Sequence, residues 1–175
     1  VKERICVDQD HVLADLITPW VDRYNNTYND TLNVSDITMW DWHVLTRPEC
    51  GKKIYQMLTP DMFENLPVIH GSQEIVKKLT EKYDVFIVTA ARNASVIPAK
   101  AKWIKTHFPF IKRENVVYAV NKSICLADSL IDDAPHNLET FKGDNKLLFD
   151  ASHNKDENRF KRVKNWNDIA NFFGV

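Results

Sequence analysis

Residues 5–15 read I-C-V-D-Q-D-H-V-L-A-D, a short apolar run that ends on two aspartates two positions apart. If Ile5 to Val7 form a buried strand, Asp8 and Asp10 stand at its carboxyl end. Residues i and i+2 of an extended segment share a face, so the two carboxylates are expected to converge. Like charges held that close need a cation or a shared proton.

The strand reading extends along the chain. Apolar runs of strand length lie at 4–7, 85–88, 116–119, 129–131 and 146–149. Between several of them the apolar residues recur with a period of about 3.6, next to helix-start signals. Ser72 is placed to cap a helix running through Lys82, with Glu74 in its first turn, and Asn165 to cap the last helix, with Asp168 three residues on. Strands alternating with helices predict an α/β fold, a parallel sheet covered on both faces. Ligands of such sheets bind beyond the carboxyl ends of the strands. Those ends carry Asp8, Thr89, Asp132 with Asp133, and Asp150.

Residues 16–67 break the alternation. They are rich in aromatic and polar residues (Trp20, Tyr24, Tyr28, Trp40, Trp42, Tyr55, Phe63), with helical stretches and no evident strand. A direct crossover needs far less chain. The segment therefore reads as a helical insertion after the first strand, a candidate lid over the strand ends, leaving 1–15 and 68–175 as the α/β core. Trp40 and Trp42 are the aromatics singled out for contact outside the insertion's own core.

Bulk properties fit one soluble globule. The 175 residues carry 23 Lys plus Arg against 24 Asp plus Glu, a net charge of -1, which offers no basic footprint for a nucleic-acid backbone. No stretch reaches the roughly 20 apolar residues of a membrane-spanning helix, and no secretory signal precedes the first strand. A cytoplasmic location is expected, with the reservation that the sequence starts at Val1 rather than Met. Cys6, Cys50 and Cys125 are odd in number and lack C-x-x-C spacing, which argues against a disulfide framework or a structural zinc site. Cys6 and Cys125 read as small buried hydrophobes.

The strand-end residues assemble into a site. Four carboxylates at one sheet edge would be destabilising without a divalent cation, and hard oxygen donors favour Mg²⁺, an ion that commonly shares its site with phosphate. Lys122, shortly before the fourth strand, supplies a point charge, Thr89 a hydroxyl, and the segment after Thr89 its backbone amides. A carboxylate could attack phosphorus while a second protonates the leaving oxygen and later activates water; Asp8 and Asp10 have the spacing for those two roles. Each element alone is weak. Their order, D-x-D, then Thr, then Lys, then D-D, carries the information.

With that order the sequence resembles the haloacid-dehalogenase superfamily. The stretches V-D-Q-D-H-V-L-A-D, N-K-S-I-C-L-A-D-S-L-I-D-D-A-P and L-F-D-A-S-H-N together resemble the 5'(3')-deoxyribonucleotidases, the bacterial members of the cytosolic type-C nucleotidases. The resemblance implies a Rossmann-like core with a small helical cap, and a Mg²⁺-dependent phosphomonoesterase acting on deoxyribonucleoside monophosphates. It implies Asp8 as nucleophile and metal ligand, and Asp10 as general acid/base lending the metal its backbone carbonyl. Thr89, the Ala90 amide and Lys122 would hold the phosphoryl group. Asp133 would be the direct metal ligand of its pair, with Asp132 in support, and Leu16, Trp40 and Trp42 would bound the nucleoside pocket. A small-molecule nucleotide is the expected partner, with neither nucleic-acid polymer nor membrane; a homodimer is held open.

Three positions depart from the family pattern: His11 where relatives often carry glycine, Ala90 where a small hydroxyl residue often follows the threonine, and Ala134 where some carry arginine. Loop-ordering roles are expected for His11 and for His153, the latter around Asp150. A receiver domain has carboxylates, Thr and Lys on a comparable sheet edge, but places its acidic pair first and a lone aspartate later, and lacks the insertion. Another small phosphomonoester as substrate would leave the core chemistry unchanged. A catalytically weak binding protein is the remaining alternative, and the intact set of Asp8, Asp10, Thr89, Lys122 and Asp133 argues against it.

Overall fold

A computed structural model describes all residues, 1–175. Six parallel strands form one sheet: β1 (Arg4–Val7), β2 (Asp84–Thr89), β3 (Val116–Tyr118), β4 (Ser129–Asp132), β5 (Asn145–Phe149) and β6 (Lys161–Val163). Their spatial order is β3-β2-β1-β4-β5-β6. The chain reverses direction across the sheet between β1 and β4, and the crevice outside the strand ends at such a switch point is where α/β sheets bind ligands.

Alternation sorts the strand residues onto two faces. Ile5, Val7, Val85, Ile87, Ile131, Leu147 and Phe149 join one hydrophobic cluster, while Cys6, Val88, Leu130 and Leu148 join a second with Leu138 and Phe141. The first face is covered by α3 (Ser72–Lys82), α4 (Ile97–His107) and α6 (Trp166–Phe173), which contribute Ile75, Leu79, Trp103, Trp166 and Ile169; α5 (Pro135–Thr140) covers the second. Burial on both faces explains why the central strands read as unbroken apolar runs.

Two expectations are corrected here. The strand β6 was not anticipated: it is three residues long, reads Lys-Arg-Val, and pairs only with β5 at the sheet edge. Charged residues suit an edge that must not recruit another strand. Ser72 does not cap α3. Gly71 takes the N-cap position with φ +81, and Ser72 begins the helix with its hydroxyl buried and unpartnered. A Cβ on Gly71 would stand 3.3 Å from that of Trp166, so both the backbone angle and the close approach favour glycine. Asn165 does cap α6, its side chain accepting from the amides of Asn167 and Asp168.

Residues 16–67 contain α1 (Ile17–Tyr28), α2 (Pro60–Glu64) and three short 3-10 turns, with no strand. On α1 the buried residues Trp20, Val21 and Tyr24 form one stripe, and Asn29 ends the helix in the left-handed region. Their cluster is continuous with that of the sheet: Trp20, Trp42, Ile54, Phe63 and Leu66 belong to the same core as Ile5 and Val7. Where the segment leaves and rejoins the α/β part, Ala14 and Val68 form an antiparallel bridge, and the Asp15 amide donates to the Pro67 carbonyl at 2.9 Å. Helix α2 packs on α4, joined by Lys102 to Glu64 at 2.5 Å and by the Trp103 indole to the Leu66 carbonyl at 2.8 Å. All three cysteines are free, Cys6 and Cys50 buried and Cys125 half-buried. No helix is long and apolar enough to cross a membrane.

Candidate active site

The central strand delivers the first acid. The Asp8 amide continues the ladder by donating to the Ile131 carbonyl at 2.9 Å, which sets Asp8 beside the end of β4. There Asp132 is the last strand residue and Asp133 follows it. Carboxylate oxygens of Asp8, Asp132 and Asp133 lie within 4.8 Å of one another, all three residues buried.

One cation answers this cluster. Lys122 begins a 3-10 turn that Asn121 caps by accepting from the Ser123 amide. Its ammonium, 1% exposed, lies 2.8 Å from Asp8 and 2.6 Å from Asp132. Burial alone would lower the Lys122 pKa, but the two carboxylates outweigh it and hold it above the usual lysine value. Asp8 is pushed well up, first by burial and then by Asp132, Asp133 and Asp10, with Lys122 opposing.

The two members of the D-D pair are held differently. Asp132 is fully engaged, accepting from Lys122, from the Ala134 amide at 2.9 Å and from the Asn137 amide group at 3.1 Å. Asp133 Oδ2 meets only His153 Nε2, at 2.8 Å and without hydrogen-bond alignment. Burial raises the Asp133 pKa, yet contact with His153 and the nearby His11 bring it below the usual value. Asp133 is thus the acid with unspent donor capacity. A compact set of buried carboxylates containing one such oxygen fits a hard divalent cation.

Asp10 does not join the cluster through its side chain. Its Oδ2 turns to Lys100, at 2.5 Å, while its Oδ1 is buried and unpartnered. The expected convergence of Asp8 and Asp10 is therefore relieved: both lie past the end of β1, and each carboxylate has its own lysine. Lys100 also donates to the Thr89 hydroxyl at 2.8 Å; Thr89 ends β2 and is fully buried. Ala90 follows, half-buried.

Lys100 was not anticipated, though α4 carries a signal for it. Ala99, Lys100, Trp103 and Ile104 are its buried residues, so a lysine sits on the apolar stripe, where an unpaired charge would be costly. His11 and His153 lie closer to the acids than expected. His11 has φ +61, and its half-buried ring meets His153 edge-on at 5.2 Å; burial lowers its pKa. His153 faces Asp133, at 2.8 Å. Asp150 stands apart from the site, paired with Lys155 at 2.5 Å and Arg162 at 2.7 Å.

The pocket candidates separate. Trp40 is 44% exposed, its ring edge-on to His136 and His153 at 5.0 and 5.2 Å, which puts it over the Asp133 side of the site. Trp42 is 2% exposed and packs against Trp20 and Tyr24 inside the insertion. Leu16 is buried in the same core at the start of α1.

Comparison with known proteins identifies the fold and the family. Among solved structures, a conserved haloacid dehalogenase-like protein of Agrobacterium tumefaciens superposes with a TM-score of 0.68 at 13% identity, over 99% of this chain and 98% of that one. A HAD-hydrolase, YfnB of Bacillus subtilis, described as bound to magnesium, gives 0.62 at 13% identity over 99% of both chains. These likenesses establish the fold. A 5'(3')-deoxyribonucleotidase of Bacillus subtilis is 48% identical over 171 residues, 97% of each chain, and one of Clostridium acetobutylicum is 46% identical over 166 residues, 94% of this chain and 91% of that one. The model of the family described as "5' nucleotidase, deoxy (Pyrimidine), cytosolic type C protein" matches residues 2–175, and the chain belongs to that family.

Proposed function

We propose that the protein is a Mg²⁺-dependent phosphomonoesterase, active in the cytoplasm, that hydrolyses deoxyribonucleoside 5'- and 3'-monophosphates to nucleoside and phosphate. The observation that carries this reading is the buried Asp8–Lys122–Asp132 ion cluster at the switch point of the sheet, with Asp133 beside it. The substrate class rests on the relatives, named 5'(3')-deoxyribonucleotidases.

In this reading Asp8 attacks phosphorus. A bond forms between its carboxylate oxygen and phosphorus as the bond to the nucleoside oxygen breaks, and Asp10 gives that oxygen its proton. Asp10 then takes a proton from water, which displaces Asp8 from phosphorus and releases phosphate. The Lys122 ammonium favours the ionised form of Asp8 against the burial that opposes it and draws the phosphoryl oxygens in. The Thr89 hydroxyl and the Ala90 amide hold the same group. Asp8, Asp133 and the Asp10 backbone carbonyl would hold Mg²⁺, with Asp132 in support. Once bound, the ion supplies positive charge for the phosphoryl oxygens and the crowded carboxylates.

The helical insertion is the substrate-selecting cap, and Trp40 is its exposed aromatic wall for the nucleoside. Trp42 supports that wall from inside. A cap closed over the strand ends excludes water during attack on phosphorus.

The test is phosphate release from 5'- and 3'-monophosphates, ribo and deoxy, beside sugar phosphates, with Mg²⁺ and with chelator. Metal-dependent release concentrated on deoxyribonucleotides is expected. Release favouring another ester would overturn the substrate, and none from any ester would overturn the enzyme reading.

A further inference from the structure

We propose that Lys100 is a positioning residue that ties the leaving-group acid Asp10 to the phosphoryl-binding hydroxyl of Thr89 and fixes which oxygen of Asp10 faces the ester. The inference rests on the phosphomonoesterase reading and on the acid role of Asp10 within it.

Four observations carry it. The Lys100 side chain is 1% exposed, on the apolar stripe of α4, where a charge persists only if the surroundings engage it. Its ammonium spans two elements: Asp10 Oδ2 at 2.5 Å in the loop after β1, and Thr89 Oγ1 at 2.8 Å at the end of β2. Phe63, from α2 of the insertion, roofs the same ammonium at 4.7 Å from its ring centroid, a cation–π contact that closes its open side. Finally, the anchored oxygen is Oδ2, which leaves Oδ1 of Asp10 buried and without a partner.

The consequence is geometric. A carboxylate on a rotatable side chain presents either oxygen; one fixed by a charge-assisted bond presents one. Lys100 takes Oδ2 and thereby assigns the proton-transferring role to Oδ1. The same ammonium sets the Thr89 hydroxyl, so the groups serving the leaving oxygen and the phosphoryl oxygens share a single reference point. Phe63 makes that point depend on the insertion being seated on α4. Reach within hydrogen-bonding distance is what a general acid requires, and misplacement by about an ångström costs on the order of a hundredfold.

The test compares two esters with different needs for protonation. A deoxynucleoside leaves as a poor alkoxide and needs the acid; p-nitrophenolate leaves without it. The water step that also uses Asp10 is common to both esters, so the readout is the pre-steady-state rate of leaving-group release: in K100M it should fall about a hundredfold or more for a deoxynucleoside monophosphate, the contribution typical of general acid catalysis, and less than about tenfold for p-nitrophenyl phosphate. D10N should show the same split, and K100M/D10N should fall below D10N by no more than the factor that K100M costs p-nitrophenyl phosphate, the part of its effect that runs through Thr89. K100R keeps the charge but moves the donors, so it should show a smaller split, and it carries the test should K100M not fold.

Equal loss on both esters in K100M and K100R, or multiplicative losses in the double variant, would overturn the positioning role while D10N still supported the acid role. Absence of the split in D10N would overturn the acid role itself, and this inference with it.

Discussion

Asp8→Asn tests both the electrostatics and the chemistry of the site. Asparagine keeps the volume and the oxygen that accepts the Gln9 amide at 2.7 Å, and Lys122 keeps Asp132 as its partner. What disappears is one of three crowded buried carboxylates, whose pKa burial and its acidic neighbours already push up. Removing one partner of a buried ion pair costs about 3–5 kcal/mol when the other charge is left unpaired, but here Lys122 keeps Asp132 and the acid removed is the crowded one, which argues for a small net gain. At ~1 kcal/mol the metal-free variant should melt about 2–4 °C above the wild type at pH 7.

The sign follows from the raised pKa. Below the unfolded value of 3.8 the carboxyl is protonated in both states and the variant has no advantage; its advantage grows as pH rises, because the unfolded chain ionises first. Mg²⁺ should reverse the ranking. At a hundredfold excess over Kd it adds about 2.7 kcal/mol to the wild type, or ~5–10 °C, and far less to a variant that lacks a ligand. Turnover should fall by about 10⁴ or more. The assay is a melting curve in chelator and in Mg²⁺, from pH 4 to 8, beside phosphate release. A variant melting several degrees below the wild type in chelator, or one with an undiminished Mg²⁺ shift, would refute the reasoning.

Four further outcomes are expected. Trp42→Ala should cost about 3–5 kcal/mol in denaturant titration, as a buried large-to-small change. Trp40→Ala should cost under ~1 kcal/mol yet raise KM for a nucleotide more than for p-nitrophenyl phosphate; the opposite pattern would exchange their roles. Gln9 is fully buried with both amide atoms unpartnered, so Gln9→Met should raise stability by about 1–3 kcal/mol, read as a higher melting temperature. Asp150 is held below its usual pKa: burial opposes this, but Lys155 and Arg162 prevail. Its stabilisation is present above the unfolded value of 3.8 and lost as pH falls through the lower folded value. Wild type should therefore outlast Asp150→Asn in melts near pH 6, with the gap closing on acidification below pH 3.8; a gap independent of pH would refute the pairing.

What the sequence disclosed follows physical lines. Strands buried on both faces announce themselves as apolar runs, so β1, β2, β4 and β5 were legible, whereas β6 has only Val163 to bury and reads as a charged loop. Asp8, Thr89, Lys122, Asp132 and Asp133 were legible because one sheet edge gathers strand ends in a fixed order. Lys100 comes from a helix flank, and only its place among buried neighbours marks it. Trp40 and Trp42 are two positions apart in an irregular segment, and tertiary packing alone decides which is inside. Ser72 was misread because the competing residue, Gly71, has its advantage in a backbone angle and in contact with Trp166, ninety-odd residues on.

The place of β1 at the centre of the sheet also governs how the molecule comes into being. Arg4 pairs with Asp84 and Ile5 with Ser129, so the first strand synthesised has both its neighbours far downstream. Such pairings close long loops before they are rewarded, which slows folding. During synthesis β1 waits, apolar and unpaired on both edges, until β2 emerges, and it stays open on its other edge until β4 has left the ribosome. The carboxylates of Asp8 and Asp133 meet only at that later step, so the acid cluster assembles when β4 docks beside β1.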